Sequence, residues 1–176
     1  MTPTHAAFLR GVNLGSTRKT GSAELRACFE ALGFGDVATF RTSGNVVFGA
    51  NRAPTAKRIE DAMHESFGFE VKVFLRTAAQ VRKIAKHDPF PRARSEGKLQ
   101  VALLSRKPSP AKQKQVLAHA TEADRLAFGA SELYWLPSGR MRDAGLDLRA
   151  VEQLTDAWTM RTMATLELVA SKFFGA

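Results

Sequence analysis

The sequence predicts an α+β fold, and residues 1–76 follow the ferredoxin-like order βαββαβ. Short β-rich runs alternate with stretches in which apolar residues recur at helical spacing, and glycine or proline residues mark the changes. Residues 77–176 predict a related series, βαββα. We therefore expect a structural duplication whose two halves pack as one compact unit, with a hinge near Arg76.

The first half begins with a short apolar run at residues 5–10, which predicts a strand. A helix follows, because apolar residues recur at i, i+3, i+4 and i+7 from Leu25 to Leu32. Two strands at 36–41 and 45–49 are joined by a short Ser-Gly-Asn link, which indicates a β-hairpin. A second helix and a fourth strand complete this half.

The second half begins with a helix that the sequence HDPFP ends, and a basic loop follows it. The predicted elements after residue 76 are helix 78–86, strand 99–104, helix 110–121, strands 125–128 and 132–136, and helices 147–154 and 160–173. From the strand at 99–104 to the helix at 147–154, this series repeats the order βαββα.

The chain of 176 residues is strongly basic, with 26 Lys and Arg against 17 Asp and Glu, a net charge of +9. A basic balance favours anionic partners such as nucleic acid, nucleotides or phosphorylated molecules. The positive residues are spread along the chain and not gathered in one block. A soluble protein from an arginine-rich proteome is therefore the alternative interpretation.

No run of about 18 apolar residues occurs, so neither a transmembrane helix nor a membrane partner is predicted. The N-terminal MTPTHAAFLRG lacks the pattern of a signal peptide, and a single cysteine excludes an intrachain disulfide. That residue, Cys28, falls on the apolar face of the first helix, where core packing is expected. A cytoplasmic location follows, and a monomer is favoured.

Motifs for metal or cofactor chemistry are missing from the sequence. The four histidines form no His-x-x-x-His pair, so no metal site is predicted. The sequence has no Gly-x-Ser-x-Gly elbow, no Walker A loop and no Gly-x-Gly-x-x-Gly pattern, so no cofactor is predicted. His87 beside Asp88 is the best candidate for a general base; the alternative is a residue that only satisfies carbonyl groups at a helix C-terminus.

Polar residues at the predicted strand ends form the candidate ligand-binding site. They are Arg10, Asn13, Gly15, Arg41, Ser43, Asn45, Arg161 and Thr165. The first and third strands of a ferredoxin-like sheet are adjacent and antiparallel, so Arg10 is expected to approach residues 43–45. Guanidinium groups and the exposed amides of a glycine turn suit a phosphate or a carboxylate.

Each of these features also has a structural interpretation. The glycines supply positive φ angles, and Asn45 ties the hairpin through hydrogen bonds from its side chain to the backbone. Arg10 pairs with Glu24 or Asp36 in this interpretation, and Glu24 repels an anion at the N-terminus of the first helix. The sequence leaves both interpretations open.

The stretch ELRACFEALGFGDVATF resembles the first helix and second strand of an RNA-recognition motif. That module stacks bases on several aromatic residues of an open sheet face, yet the strand at 45–49 offers only Phe48. The predicted strands are apolar on both faces, so we expect both faces of the sheet to be covered. An exposed RNA-binding platform is therefore disfavoured.

Three segments together resemble the bacterial domain-of-unknown-function family 1697. Residues 8–48 are similar to an RGVN-G loop, an ELR-LG helix and a SGNVVF hairpin in the family's order. DPF at 88–90 resembles its central motif, and TMRTMATLELVA at 159–170 resembles its C-terminal motif. The resemblance covers the whole chain and implies an α+β, ferredoxin-like fold with two related halves. It implies no established function.

The chain departs from the family pattern near the C-terminus. Thr162 and Ala164 stand where the family usually has asparagines, and Met163 replaces an aromatic residue. DAGLDL at 143–148 stands where the family has a serine-lysine-leucine step. Any family activity that depends on those residues is expected to be lost or changed in this chain.

The expected function is that of a cytosolic binding module. It holds an anionic ligand, which is a nucleotide, a nucleic acid or a phosphorylated small molecule, in a cleft between the halves. The alternative is an enzyme that acts on a phosphorylated or nucleotide substrate, with Arg10 and Arg161 as electrostatic clamps. The third is a protein-interaction domain that uses a sheet edge or an apolar patch. No residue identifies a reaction, so enzymatic activity stays open.

Overall fold

A computed structural model describes residues 2–12, 20–41, 44–91, 97–139 and 145–175. The elements of this part of the chain are β1 (His5–Arg10), α1 (Ser22–Ala31), β2 (Gly35–Phe40), β3 (Asn45–Gly49), α2 (Ala56–Phe67), β4 (Lys72–Thr77), α3 (Ala78–Lys86), β5 (Gln100–Leu104), α4 (Pro110–Leu117), β6 (Asp124–Phe128), β7 (Glu132–Pro137), α5 (Leu148–Thr155), β8 (Trp158–Thr162) and α6 (Met163–Phe174). The predicted α+β class is confirmed. Of the helices within the described residues, none has the length and apolar character needed to cross a lipid bilayer.

The chain forms two compact units. Unit 1 comprises residues 1–83 and 168–176, and unit 2 comprises residues 84–167. Helix α3 therefore begins in unit 1 and ends in unit 2, whereas α6 begins in unit 2 and ends in unit 1. The predicted halves, 1–76 and 77–176, stay a prediction.

Each unit contains one four-stranded antiparallel sheet. The strand order is β2-β3-β1-β4 in unit 1 and β6-β7-β5-β8 in unit 2. In both sheets the first strand of the unit lies between the third and the fourth, and the second strand forms one edge. The first and third strands of unit 1 are thus adjacent and antiparallel, as expected.

Both faces of the unit 1 sheet are buried. On one face Val46 packs with Phe29 of α1 and Met63 of α2. Successive side chains of a strand point to opposite faces, so Phe8 and Phe74 lie on the other face, and they are at most 3 % exposed. A sheet buried on both faces offers no open platform for stacked bases, which agrees with the apolar pattern of the sequence.

The C-terminal end of α6 completes unit 1. Phe173 packs edge-on against Phe40 of β2, with 6.0 Å between the ring centroids. The Arg82 Nη1 atom donates a hydrogen bond to the Phe174 carbonyl at 2.9 Å. All other residues of this unit precede residue 84.

Burial on two faces is also found in unit 2. Leu133 and Trp135 pack in one cluster with Val116 of α4 and Val151 of α5. Tyr134 lies between them in sequence, points to the opposite face and is also buried.

The final helix was predicted to begin at residue 160, and this start is wrong. Residues 158–162 form β8, which pairs along its whole length with β5, and α6 begins only at Met163. Thr159 and Thr162 are β-branched and favour a strand. The pairing with β5 is non-local, so helical spacing within the segment did not reveal it. Unit 2 therefore has the order βαββαβ, one strand more than expected.

Candidate functional site

The ends of β1, β3 and β4 meet at one end of the unit 1 sheet. Arg10, the last residue of β1, is directly opposite Lys72, the first residue of β4. On the other side of β1, the Leu9 N–H donates to the Gly44 carbonyl at 2.8 Å, next to Asn45. The register therefore brings the polar ends of three strands side by side.

Gly44 and Asn45 hold the hairpin in place. The Asn45 side chain is 1 % exposed, and its Nδ2 atom donates to the Phe40 carbonyl at 2.8 Å. Gly44 has a φ of +70°, and a Cβ atom added there would lie 2.5 Å from Val12 Cγ2 and 3.0 Å from Leu9 Cβ. The hairpin and the turn after β1 are therefore packed against each other. The structural interpretation accounts for this position of Asn45.

Three cations stand at these strand ends, and we call Arg10, Arg41 and Lys72 the basic end of unit 1. Arg10 and Arg41 are exposed. Arg41 has a φ of +58°, and its guanidinium carbon lies 5.3 Å from the Phe40 ring centroid. The Lys72 Nζ atom lies 3.6 Å from a carboxylate oxygen of Glu60. Sequence reasoning missed Lys72, because its place beside Arg10 depends on the register of β4.

Part of the predicted site cannot be placed. Asn13, Gly15 and Ser43 lie outside the described residues. Gly11, which directly follows β1, has a φ of +97°. Glu24 accepts a hydrogen bond from the Gly21 N–H at 2.7 Å, so its carboxylate satisfies a backbone donor at the start of α1.

Arg161 and Thr165 lie in unit 2, at the junction of β8 and α6. Arg161 is on the strand, so its predicted position at the start of the last helix is wrong. Its side chain is 8 % exposed, and its Nη1 atom donates to the Thr159 hydroxyl at 2.9 Å and to the Met160 carbonyl at 2.8 Å. Burial lowers the pKa of Arg161 to about 10, so the guanidinium stays charged at neutral pH.

Unit 1 has a similar junction between β4 and α3. Arg76 is 6 % exposed and donates to the carbonyl of the residue before it at 2.8 Å, as Arg161 does. The Thr77 hydroxyl accepts the N–H three residues further on at 3.2 Å, and the Thr162 hydroxyl does the same at 3.2 Å. Both threonines therefore act as helix N-caps.

The sequence contains a short repeat at these two junctions, which sequence reasoning missed. RTAAQ at 76–80 and RTMAT at 161–165 share an Arg-Thr pair and an alanine. In each unit the arginine is opposite the second residue of the first strand, Ala6 in β1 and Val101 in β5. So short a repeat becomes recognisable only when the strand register is known.

The candidate general base lies in a turn after α3. The His87 ring centroid is 5.0 Å from that of Tyr134, and Asp88 Oδ1 accepts the Phe90 N–H at 3.0 Å. These contacts fix the end of the helix and the DPF turn, and the catalytic role stays a prediction. Across the part of the chain that the structure describes, no three His, Cys, Asp or Glu side chains converge as a metal site requires.

The fold and the site define an α+β protein with two four-stranded antiparallel sheets, one of which has a basic end. The chain belongs to the family described as "Protein of unknown function (DUF1697)", whose model matches residues 1–134. The family resemblance found in the sequence is thereby confirmed over residues 1–134, and the C-terminal motif at 159–170 lies outside the matched residues.

One solved structure shares the fold over nearly the whole chain. It is the conserved bacterial protein SP0830 from Streptococcus pneumoniae, with 17 % identity and a TM-score of 0.77. The alignment covers 97 % of this chain and 98 % of that chain. Comparison with curated proteins gives no match.

Proposed function

We propose that this protein is a binding module for an anionic ligand and that the basic end of unit 1 holds the ligand. The proposal is carried by the cross-strand pair of Arg10 and Lys72. Like charges directly opposite each other in an antiparallel sheet are destabilising. An anion bound across the pair is attracted by both cations, and it adds to the partial compensation that the Glu60 carboxylate, 3.6 Å from the Lys72 Nζ atom, already provides.

The ligand class follows from the chemistry of these side chains. Guanidinium groups bind phosphate and carboxylate oxygens in pairs, and Arg41 adds a third cation at the same end of the sheet. Phosphorylated small molecules, nucleotides and nucleic acids all present such oxygens. The cytoplasmic location and the monomeric state that we expect stay predictions.

A thermal-shift screen against nucleotides, sugar phosphates and short oligonucleotides tests the proposal. A ligand at about 100 times its Kd stabilises the folded protein by about 2.7 kcal/mol, which raises Tm by about 5–10 °C at this chain length. We expect Arg10→Ala to lose the shift. Because Arg10 is exposed, its removal changes intrinsic stability by only about 0.5 kcal/mol or less.

The matched control is Arg26→Ala, which removes an exposed arginine of α1 outside the basic end. This variant is expected to keep the full shift. The proposal fails if no compound stabilises the wild type, or if the two variants lose the shift equally. Incubation of each hit with the protein, followed by product analysis, tests the enzymatic alternative.

A role of Arg161 and Thr165 in ligand binding stays a prediction. Arg161→Lys keeps the charge and is the variant to compare with Arg10→Ala in the screen. A shift that Arg161→Lys weakens indicates a contact that needs the guanidinium donors of Arg161.

We also infer that the two units arose by duplication of one ferredoxin-like unit. The equal strand orders and the repeated Arg-Thr junctions support this inference. The equivalent registers of Arg76 and Arg161 support it independently of sequence similarity.

A further inference from the structure

A concave site lies in unit 1, away from the basic end. It is a cavity of about 180 Å³ between the end of α1 and the loop that joins β3 to α2. Leu32, Phe34 and Pro54 give it apolar walls, and Arg52 and Arg58 are its charged residues. The residues at its rim follow the last residue of β3, whereas the basic end lies at the first residue of that strand.

The lining of this cavity is positive. No Asp or Glu is among its described lining residues. The neighbouring groove, which shares Leu32 and Arg58, is different because its Lys57 is paired with Asp61 and it also contains Glu65. Charge is therefore balanced in the groove and unbalanced in the cavity.

The two arginines have different environments. Arg58 is held in position, since its Nη2 atom donates to the Leu32 carbonyl at 2.9 Å and its guanidinium carbon lies 6.0 Å from the Phe34 ring centroid. That bond also satisfies a carbonyl at the negative end of α1. Arg52 is exposed, and its side chain has no hydrogen bond or ion pair with another described residue.

We propose that this cavity binds a small oxyanion, a phosphate or carboxylate group on a short apolar body. Arg58 supplies a preorganised guanidinium, and Arg52 closes on the anion from the loop. The apolar side chains of the lining contact the short apolar body of the ligand, while both arginines reach its oxygens from exposed positions. Cavities for drug-sized ligands measure about 300–1,000 Å³, so a volume of about 180 Å³ selects a single small acid and not a nucleotide. This site is independent of the proposed function at Arg10.

Titration with phenyl phosphate, followed by amide chemical shifts in NMR spectra, tests the proposal. We expect saturable shifts in residues 32–34 and 50–53 of the wild type. Arg52→Gln is expected to weaken binding at least tenfold. Arg52→Lys, which keeps the charge but not the paired donors, should restore part of it. Phenol, the neutral analogue, should not bind.

Two control variants separate this site from general attraction and from the basic end. Arg26→Gln removes an exposed charge outside the cavity, and Arg10→Ala removes one cation of the basic end; both should leave the affinity within twofold. The proposal is overturned if these loops do not shift, if phenol binds equally well, or if Arg26→Gln weakens binding as much as Arg52→Gln. Shifts confined to residues beside Arg10 would overturn it while supporting the first proposal.

Discussion

Gly44 lies where the hairpin is tightly packed, and an added methyl group has no room there. A Cβ atom there would overlap Val12 and approach Leu9, and the φ of +70° is left-handed. We expect Gly44→Ala to lower the free energy of unfolding by about 2–5 kcal/mol, of which about 1–2 kcal/mol is backbone strain. In Gly33→Ala, where φ is +80° and no atom lies within 4 Å, only the strain remains. Equal losses in urea unfolding would contradict the packing explanation.

His5 makes the stability of unit 1 depend on pH. Its ring is stacked on Phe48, with 5.8 Å between centroids, and burial lowers its pKa below the usual 6.5. The folded state therefore binds this proton more weakly than the unfolded state. The contribution of neutral His5 is fully present above pH 6.5 and declines as the pH falls through the lowered pKa.

The measurement is urea unfolding of the wild type and His5→Gln from about pH 7.5 to about pH 5. The advantage of the wild type over the variant should shrink towards acid pH. His119→Gln, which removes a histidine of unit 2, is the control for general titration. A stability difference that grows as the pH falls would contradict a lowered pKa of His5 in the folded state.

At the scale of elements, α3 and α6 each begin in one unit and end in the other. The start of each of these helices depends on one threonine hydroxyl. Thr77 caps α3 and Thr162 caps α6, each by accepting the N–H three residues further on. We expect Thr77→Ala and Thr162→Ala each to cost about 1 kcal/mol, or about 2–4 °C in Tm at this chain length. The serine variants keep the acceptor and should retain most of that stability in thermal unfolding. Loss of the same size in the serine variants would show that the methyl group, and not the cap, matters.

Elements were predictable where their signal is contiguous in the sequence. The apolar stripe of α1 and the short apolar runs of β1 and β3 depend on neighbouring residues, and these elements were found as expected. β8 was not, because a five-residue strand gains its hydrogen bonds from β5, more than fifty residues earlier. The misplaced Arg161 is a consequence of that same non-local pairing.

At the scale of the whole molecule, the net charge of +9 predicts that binding of an anionic ligand weakens as the salt concentration rises. If the ligand is a single-stranded oligonucleotide, the three cations of the basic end neutralise three phosphates. The slope of log K against log salt is then about −2, and Arg10→Ala reduces its magnitude by about 0.7. Fluorescence anisotropy at several salt concentrations measures both slopes. Binding that does not change with salt would exclude a nucleic-acid ligand.

The candidate site was predictable only in outline. Adjacent first and third strands follow from the element order, and so Arg10 was expected near the hairpin. Two facts could be learned only from the three-dimensional structure. The Asn45 side chain donates a hydrogen bond to the Phe40 carbonyl, and Lys72 lies opposite Arg10. Residue type alone allowed Asn45 either role; the hairpin geometry shows the structural one, and the binding role stays a prediction.

The helix end that completes unit 1 has a consequence for synthesis of the chain. A ribosome that has made residues 1–83 has supplied all four strands of the first sheet, yet Phe173, which covers Phe40, is still to come. Unit 2 is contiguous and is made in full before that segment emerges. The unit that begins first is therefore finished last, and its closure joins residues 92 positions apart through the bond from Arg82 to Phe174. Removing the last turns of α6 would damage the N-terminal unit, although the deletion lies at the opposite end of the sequence.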